Sequence, residues 1–346
     1  MIRKPLGRTG LTVPIVCLGT MTYGQQNTEA EGHAQMDLAF ERGVDFLDTA
    51  ELYAIPPRAE TFGATERIIG SWMKARGNRD RVIIASKVVG RSPMDWFREG
   101  GIETRLTPAQ IDVAVEGSLR RLQTDHIDLY QLHWPDRRLG IFGGHRYRHY
   151  DTDYVPFEET LGALARHVEK GSIRHIGVSN ESAWGVMQFV NRAERDGLPR
   201  LVSIQNAYSL VNRTFEQGLA EVALQEQVGL LAYSPLAQGY LTGKYLDGAR
   251  PPGARTTLFN RGQRYESASA ERMIRAYGEL AASHGLTPIQ LALKFCATRS
   301  FMTSVIIGAT TMEQLTANLD AFDTPWSEEL EKAVDALHAT CPSPCP

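Results

Sequence analysis

Eight short apolar runs punctuate the chain at residues 15–18, 44–47, 82–85, 127–132, 173–178, 201–204, 229–232 and 303–307. Their apolar residues are consecutive rather than alternating, as in strands covered on both faces of a parallel sheet. Between them lie longer segments with helical spacing: residues 29–42, 65–76, 108–121, 157–170, 181–196, 215–228, 270–284 with 288–298, and 311–321. In the third of these, Thr107 stands at the N-cap, Pro108 fits the first turn, and Ile111, Val115, Ser118, Leu119 and Leu122 form the buried stripe. The fourth ends in Lys170 and Gly171, a cation in the last turn followed by a C′ glycine. Eight strands alternating with eight helical segments predict an α/β fold, a closed (β/α)8 TIM barrel. An open doubly wound sheet is the alternative. Residues 1–13, with Gly7, Thr9 and Gly10 as turn signals, predict an N-terminal β-hairpin, and residues 327–339 an extra C-terminal helix.

The 346 residues show no repeat and no linker, so residues 1–346 are expected to form a single barrel domain. Lys plus Arg number 37 and Asp plus Glu 40, a net charge of −3 that offers no electrostatic footprint for nucleic acid or an anionic membrane. No apolar run approaches the roughly 20 residues that span a bilayer. The first ten residues carry Arg3, Lys4, Pro5 and Arg8 and lack a signal-peptide core. Cys17 and Cys296 sit in apolar segments, and Cys341 and Cys345 in a Pro-rich tail. Four such cysteines are no disulfide framework, and a reducing, cytoplasmic compartment is expected.

Function is carried by what ends the apolar runs. The second ends in Asp48, the third in Ser86-Lys87, the fourth in His133, and the fifth in Ser179-Asn180. The sixth ends in Gln205-Asn206, the seventh in Tyr233-Ser234, and the eighth in Gly308 ahead of Thr310-Thr311. In a barrel all of these face one mouth, where such folds place their chemistry. Four long loops, 51–64, 89–107, 134–156 and 234–269, emerge from the same rim.

Several chemistries are excluded. No G-x-G-x-x-G follows a strand, and no H-E-x-x-H or G-x-S-x-G occurs. The stretch from Gly239 to Lys244 imitates a P-loop but is one residue short. His145 and His149 read as part of a solvated basic loop, and no metal is expected. Only Asp48 and Glu51 are acids at the inner mouth, which serves a paired-carboxylate hydrolase poorly.

What remains is Asp48, Tyr53, Lys87 and His133. A buried lysine beside a tyrosine stabilises the phenolate, lowers the phenol pKa and makes the phenol a proton donor. An aspartate behind the lysine keeps that cation charged. A neutral histidine can hydrogen-bond and orient a carbonyl oxygen. Such a set protonates a carbonyl oxygen while hydride reaches its carbon; side chains cannot supply hydride, so a nicotinamide cofactor is implied.

The motifs Phe46-Leu-Asp48-Thr-Ala-Glu-Leu-Tyr53, Ala85-Ser-Lys87, Leu132-His133-Trp134-Pro135, Gly177-Val-Ser179-Asn180, Ala232-Tyr233-Ser-Pro235-Leu236 and Ile307-Gly308-Ala-Thr310 resemble the aldo-keto reductase superfamily over nearly the full length. The segments from Gly19 to Asn27, Ile55 to Arg58 and Ala207 to Arg213 resemble its bacterial Tas-type, NADP(H)-dependent reductases. The resemblance implies Tyr53 as proton donor supported by Asp48, Lys87 and His133, with NADP(H) as cofactor. It implies Ser179, Asn180 and Gln205 on the nicotinamide carboxamide and Tyr233 stacked on its ring. Ser234, Pro235, Leu236, Ala237, Gln238 and Gly239, with Leu241, would line the pyrophosphate, and Lys244 and Arg255 would approach phosphates. Thr310, Gln314 and Asn318 would meet the adenosine end, with Gly19, Thr20, Met21, Asp48 and Gly308 as further cofactor contacts. Ala317 stands where some relatives carry a carboxylate for the adenine. Residues Thr310 to Glu313 also read as a capping box, opening a helix N-terminus suited to a ribose 2′-phosphate.

The partner implied is a small-molecule carbonyl substrate, and self-association into a homo-oligomer is left open. Tyr23, Tyr53, His133 and Trp134 are the substrate-contact candidates, with Trp96, Phe97, Phe142 and Tyr147 as further walls. The 134–156 loop, with Tyr150 and the pair Gly143-Gly144, reads as a substrate-selecting lid. Two other classes stay open: a cofactor-binding regulatory subunit, and an isomerase or lyase using Lys87 as a Schiff-base amine.

Overall fold

The computed structural model describes residues 1–140 and 147–345. Strands β1 (Arg3–Pro5) and β2 (Thr12–Pro14) pair antiparallel as a hairpin. The next eight strands are β3 (Val16–Gly19), β4 (Phe46–Asp48), β5 (Ile83–Val88), β6 (Ile127–Leu132), β7 (Ile173–Ser179), β8 (Leu201–Ala207), β9 (Gly229–Tyr233) and β10 (Met302–Ile307). They pair in parallel in chain order, and β10 closes onto β3, with Val305 opposite Val16. The closed barrel excludes the open sheet.

Helices α1 (Glu29–Glu41), α2 (Ala64–Arg76), α3 (Pro108–Leu122), α4 (Phe157–Glu169) and α5 (Ala183–Asp196) follow β3 to β7 in turn. Next come α6 (Leu219–Gln225), α7 (Arg255–Phe259), α8 (Ala268–Ser283), α9 (Pro288–Ala297), α10 (Met312–Asp320) and α11 (Glu328–Thr340). The last is the extra C-terminal helix. Three local readings change. The 215–228 segment is interrupted by Gly218 at φ +110°, so only Leu219–Gln225 is α-helical, after a 3₁₀ turn at Thr214–Glu216. The long 234–269 loop contains the short helix α7. The N-cap of α10 is Thr311, not Thr310: Thr311 accepts from the Gln314 amide, while the Gln314 side chain folds back onto Thr310.

Strand side chains alternate between the two faces of the sheet, and this period of two builds the site. Cys17, Phe46, Ile83, Ala85, Leu129, Val202, Leu231 and Ile306 cluster with Leu6 and Val13 of the hairpin, separately from the larger core between strands and helices. Stepping two residues along these strands reaches Gly19 from Cys17, Asp48 from Phe46 and Lys87 from Ala85. The same step leads from Leu129 to Gln131 and His133, and from Leu231 to Tyr233. The face that fills the barrel with hydrocarbon thus ends in polar groups at the C-terminal mouth. Among the described residues, no helix is long and apolar enough to cross a membrane.

Candidate active site

Asp48 ends β4 and Lys87 lies one residue before the end of β5, so the parallel register brings both to the mouth. Lys87 is fully buried. Its Nζ donates to Asp48 Oδ2 at 2.7 Å, to the Thr49 carbonyl at 2.8 Å and to Tyr53 Oη at 3.3 Å. All three ammonium protons therefore have acceptors, which a buried cation requires. The other oxygen of Asp48 accepts from Gln205 Nε2 at 2.8 Å. His133 packs edge-on against Tyr53 with ring centroids 5.5 Å apart. Its Nδ1 is buried without a hydrogen-bond partner among the described residues.

These contacts fix protonation states. Burial alone would lower the Lys87 pKa, but Asp48 and Tyr53 outweigh it and the ammonium is held above its ordinary value. Burial, then the nearby charge of Lys87, hold His133 well below its ordinary range, so the imidazole is neutral at physiological pH. Burial raises the Tyr53 phenol, against the pull of Lys87 and with a further push from Asp48. Lys87 pulls this phenol down, as its position in the sequence leads one to expect, but desolvation outweighs it. Tyr53 is thus a protonated phenol with a cation 3.3 Å from its oxygen. The arrangement can give up one proton and stabilise the phenolate left behind.

The neighbouring strand ends form one linked set. Asn180, at φ +54°, donates to the His133 carbonyl at 2.9 Å and accepts from the Tyr233 hydroxyl at 2.7 Å. Ser179 Oγ donates to the Gln205 carbonyl and receives Asn180 Nδ2. Gln205 Nε2 is shared between Asp48 and Gln131 Oε1, and its own Oε1 has no protein donor among the described residues. That oxygen is left as an acceptor beside Asp48 at the mouth. Gln131 escaped the sequence reading, although it lies two residues before His133 on the same strand face.

Beyond β9 the chain winds through left-handed conformations at Ser234, Ala237, Gln238 and Gly239. Buried Pro235 and Leu241 and half-buried Leu236 belong to the same segment. Among the described residues, Lys244, Arg255, Arg261 and Arg264 have no carboxylate partner, whereas Arg250 is paired with Glu266. Burial, opposed by Tyr245 and reinforced by Arg261, lowers Arg255, and Arg255 in turn acts on the Tyr53 phenol. Uncompensated cations crowded beside a polar mouth suit an anionic group, so the residues present fit a phosphate-bearing cofactor. At the end of β10, Asn318 Nδ2 holds the Gly308 carbonyl at 3.1 Å, and Gln314 accepts from Thr310. Thr20 Oγ1 donates to the Asp48 carbonyl, which fixes the Gly19–Met21 turn beside the mouth.

Apolar side chains wall the other side. Ala50, Leu52, Tyr53, Val89 and Phe97 cluster with Met21, Ile55, Phe62, Trp96 and Trp134. Trp134 lies tilted against His133 with centroids 4.8 Å apart, and its indole N–H donates to the Arg91 carbonyl at 2.8 Å. Gly90 permits this, because a Cβ there would lie 2.1 Å from the Trp134 carbonyl oxygen. Tyr23 is not part of the wall: it is fully buried against α1, its hydroxyl on Gln35 at 3.1 Å. Tyr147 is exposed and pairs with His149. Phe142, Gly143, Gly144 and His145 lie outside the described residues. Among the described residues no group of three or more His, Cys, Asp or Glu is placed to hold a metal.

A closed parallel barrel with this tyrosine–lysine–aspartate–histidine mouth defines a class. A sequence model of the Aldo/keto reductase family matches residues 15–339, and the chain belongs to that family, which makes it an oxidoreductase. It is 47% identical over 341 residues to "Protein tas" of Escherichia coli, covering 98% of both chains. It is 34% identical to the "Uncharacterized oxidoreductase YrpG" of Bacillus subtilis, over 96% of this chain and 94% of that one. A "Probable voltage-gated potassium channel subunit beta" of Arabidopsis thaliana is 29% identical over 92% of this chain and 90% of its own.

Proposed function

We propose that the protein reduces small-molecule aldehydes and ketones to alcohols with NADPH, using Tyr53 as the proton donor. The observation that carries this reading is the Tyr53 hydroxyl, 3.3 Å from a fully buried ammonium that Asp48 keeps charged. When bound, the reduced nicotinamide would supply hydride for the carbonyl carbon. Tyr53 delivers its proton to the carbonyl oxygen, and the resulting phenolate is stabilised by Lys87. His133, held neutral, can donate a hydrogen bond that orients that oxygen.

Gln205 Oε1, Ser179 and Asn180 would hold the carboxamide, Tyr233 would meet the ring, and the turns from Ser234 to Leu241 would receive the pyrophosphate. Preference for the 2′-phosphorylated cofactor rests on Lys244 and Arg255, whose charges no carboxylate neutralises among the described residues. The partner is a small carbonyl compound, with no nucleic acid or membrane. The free cysteines suit a reducing, cytoplasmic setting.

The test is a panel of aldehydes, ketones and sugars followed by the loss of NADPH absorbance. Turnover of several carbonyls, with NADPH favoured over NADH, is expected. An enzyme that binds NADPH yet reduces none of them would overturn the reading.

A further inference from the structure

Glu51 lies two residues before Tyr53, and its carboxylate is held by Arg98 and the Val89 N–H rather than by Lys87. Its side chain is 1% exposed and that of its partner, Arg98, 4%. Arg98 grips it with both terminal nitrogens: Nη2 donates to Oε1 at 2.8 Å and Nη1 to Oε2 at 3.0 Å. Val89 N–H donates to the same Oε1 at 2.8 Å. The Glu51 backbone is tied as well, its N–H to the Lys87 carbonyl at 3.2 Å and its carbonyl to the Gly63 N–H at 2.8 Å. One residue thus joins the Tyr53 turn, the end of β5 and the long loop that follows it.

That loop carries the aromatic wall. Trp96 and Phe97 immediately precede Arg98, lie 4.0 Å apart centroid to centroid, and both meet Phe62 edge-on at 5.8 and 5.7 Å. Phe97 and Tyr53 belong to one apolar cluster. The loop is closed at its base by the pairing of Ser92 with Thr104. Between residues 93 and 102, the hydrogen bonds from the loop to the rest of the barrel are those of Arg98 to Glu51, among the described residues.

A buried ion pair costs desolvation, and hydrophobic replacements of similar volume are often as stable. What a bidentate pair supplies beyond stability is fixed geometry. We propose that the Glu51–Arg98 pair is a positioning latch: it sets the distance between the Trp96–Phe97 wall and Tyr53, and so decides which carbonyl compounds are held well. The latch favours carbonyls with a flat aromatic body over small aliphatic ones. This deepens the reductase reading and rests on it for the catalytic part only.

The test uses the full-length protein, with Arg98→Met, Arg98→Lys and the double variant Glu51→Gln/Arg98→Met, the last leaving no unpaired buried charge if the first fails to fold. Each is assayed with NADPH on benzaldehyde and on propanal, alongside the NADPH dissociation constant. Each is also labelled with fluorotryptophan, and the Trp96 resonance is assigned by Trp96→Phe. Loss of the bidentate pair is expected to lower the benzaldehyde-to-propanal ratio of kcat/KM about tenfold, mostly through KM for benzaldehyde. The Trp96 fluorine resonance shifts or broadens, Arg98→Lys restores part of the ratio, and NADPH affinity stays within about twofold. An unmoved Trp96 resonance, or an unchanged ratio with only a lower melting temperature, overturns the latch. If the wild type binds NADPH but reduces neither these aldehydes nor any carbonyl of the panel above, the reductase reading fails instead, and the Trp96 resonance still decides the latch.

Discussion

Replacing Asp48 with Asn removes one charge and almost no volume, and it isolates what that charge does for Lys87. In the wild type Asp48 Oδ2 accepts from Lys87 and Oδ1 from Gln205. The asparagine amide has one acceptor for two donors, so either Lys87 loses its partner or Gln205 meets an N–H. Lys87 keeps the Thr49 carbonyl and Tyr53 but, fully buried, loses its counter-charge. Breaking a buried ion pair in this way costs about 3–5 kcal/mol while the lysine stays charged. The lysine escapes part of that cost by losing its proton, and this gives the prediction its sign.

In the wild type the Lys87 pKa is raised, so its contribution is fully present below the unfolded value near 10.5 and is lost only at higher pH. In Asp48→Asn the folded pKa falls below the unfolded one, and between the two the unfolded chain binds the extra proton. Stability of the variant therefore rises with pH across that interval, by up to about 1.4 kcal/mol per unit, while the wild-type contribution stays flat. Urea unfolding of both proteins at pH 6, 7.5 and 9 measures this directly. The destabilisation is expected to be largest at pH 6 and to shrink toward pH 9. A loss under about 1 kcal/mol, or one that does not change with pH, would refute the coupling of Asp48 to a buried ammonium.

Three further perturbations follow from the same geometry. His133 is neutral when folded with its pKa well below 6.5, so the unfolded chain takes up a proton first as pH falls. The stability difference between wild type and His133→Asn should shrink below about pH 6.5 by up to about 1.4 kcal/mol per unit, and parallel pH curves would contradict this. Lys244→Met and Arg255→Met should each weaken NADPH about 10- to 150-fold by fluorescence titration and NADH far less; equal losses would dismiss them as 2′-phosphate contacts. Gly90→Ala sets a methyl against the Trp134 carbonyl, so a loss of about 1–3 kcal/mol in urea unfolding is expected, with altered indole fluorescence. A variant indistinguishable from wild type would show that Trp134 is free to move.

The barrel and three of the four residues at its mouth, Asp48, Lys87 and His133, were legible because one periodicity encodes both, whereas Tyr53 stands in the loop beyond β4. Consecutive apolar residues announced buried strands, and the same alternation that put Phe46 and Ala85 inside the barrel put Asp48 and Lys87 above them. Gln131 was readable by that rule. Tyr23 misled because it follows β3 directly, yet the turn at Thr20 sends its ring back against α1. Arg98 carried no signal at all: a lone arginine in a long loop looks solvated until the fold brings Glu51 beneath it. The cap of α10 slipped by one residue because two adjacent threonines compete for one role. The net direction of the Tyr53 shift was hidden for a different reason, since burial and a neighbouring cation oppose each other and only the structure weighs them.

The central claim is that Tyr53 supplies the proton for carbonyl reduction. The most direct measurement is single-turnover reduction of an aldehyde by NADPH-loaded Tyr53→Phe, compared with wild type, together with the NADPH dissociation constant of each. The chemical step is expected to be at least about 10²-fold slower with cofactor affinity unchanged, because the ring remains and only the phenol proton is lost. A Tyr53→Phe protein whose chemical step keeps the wild-type rate within a few-fold would contradict it.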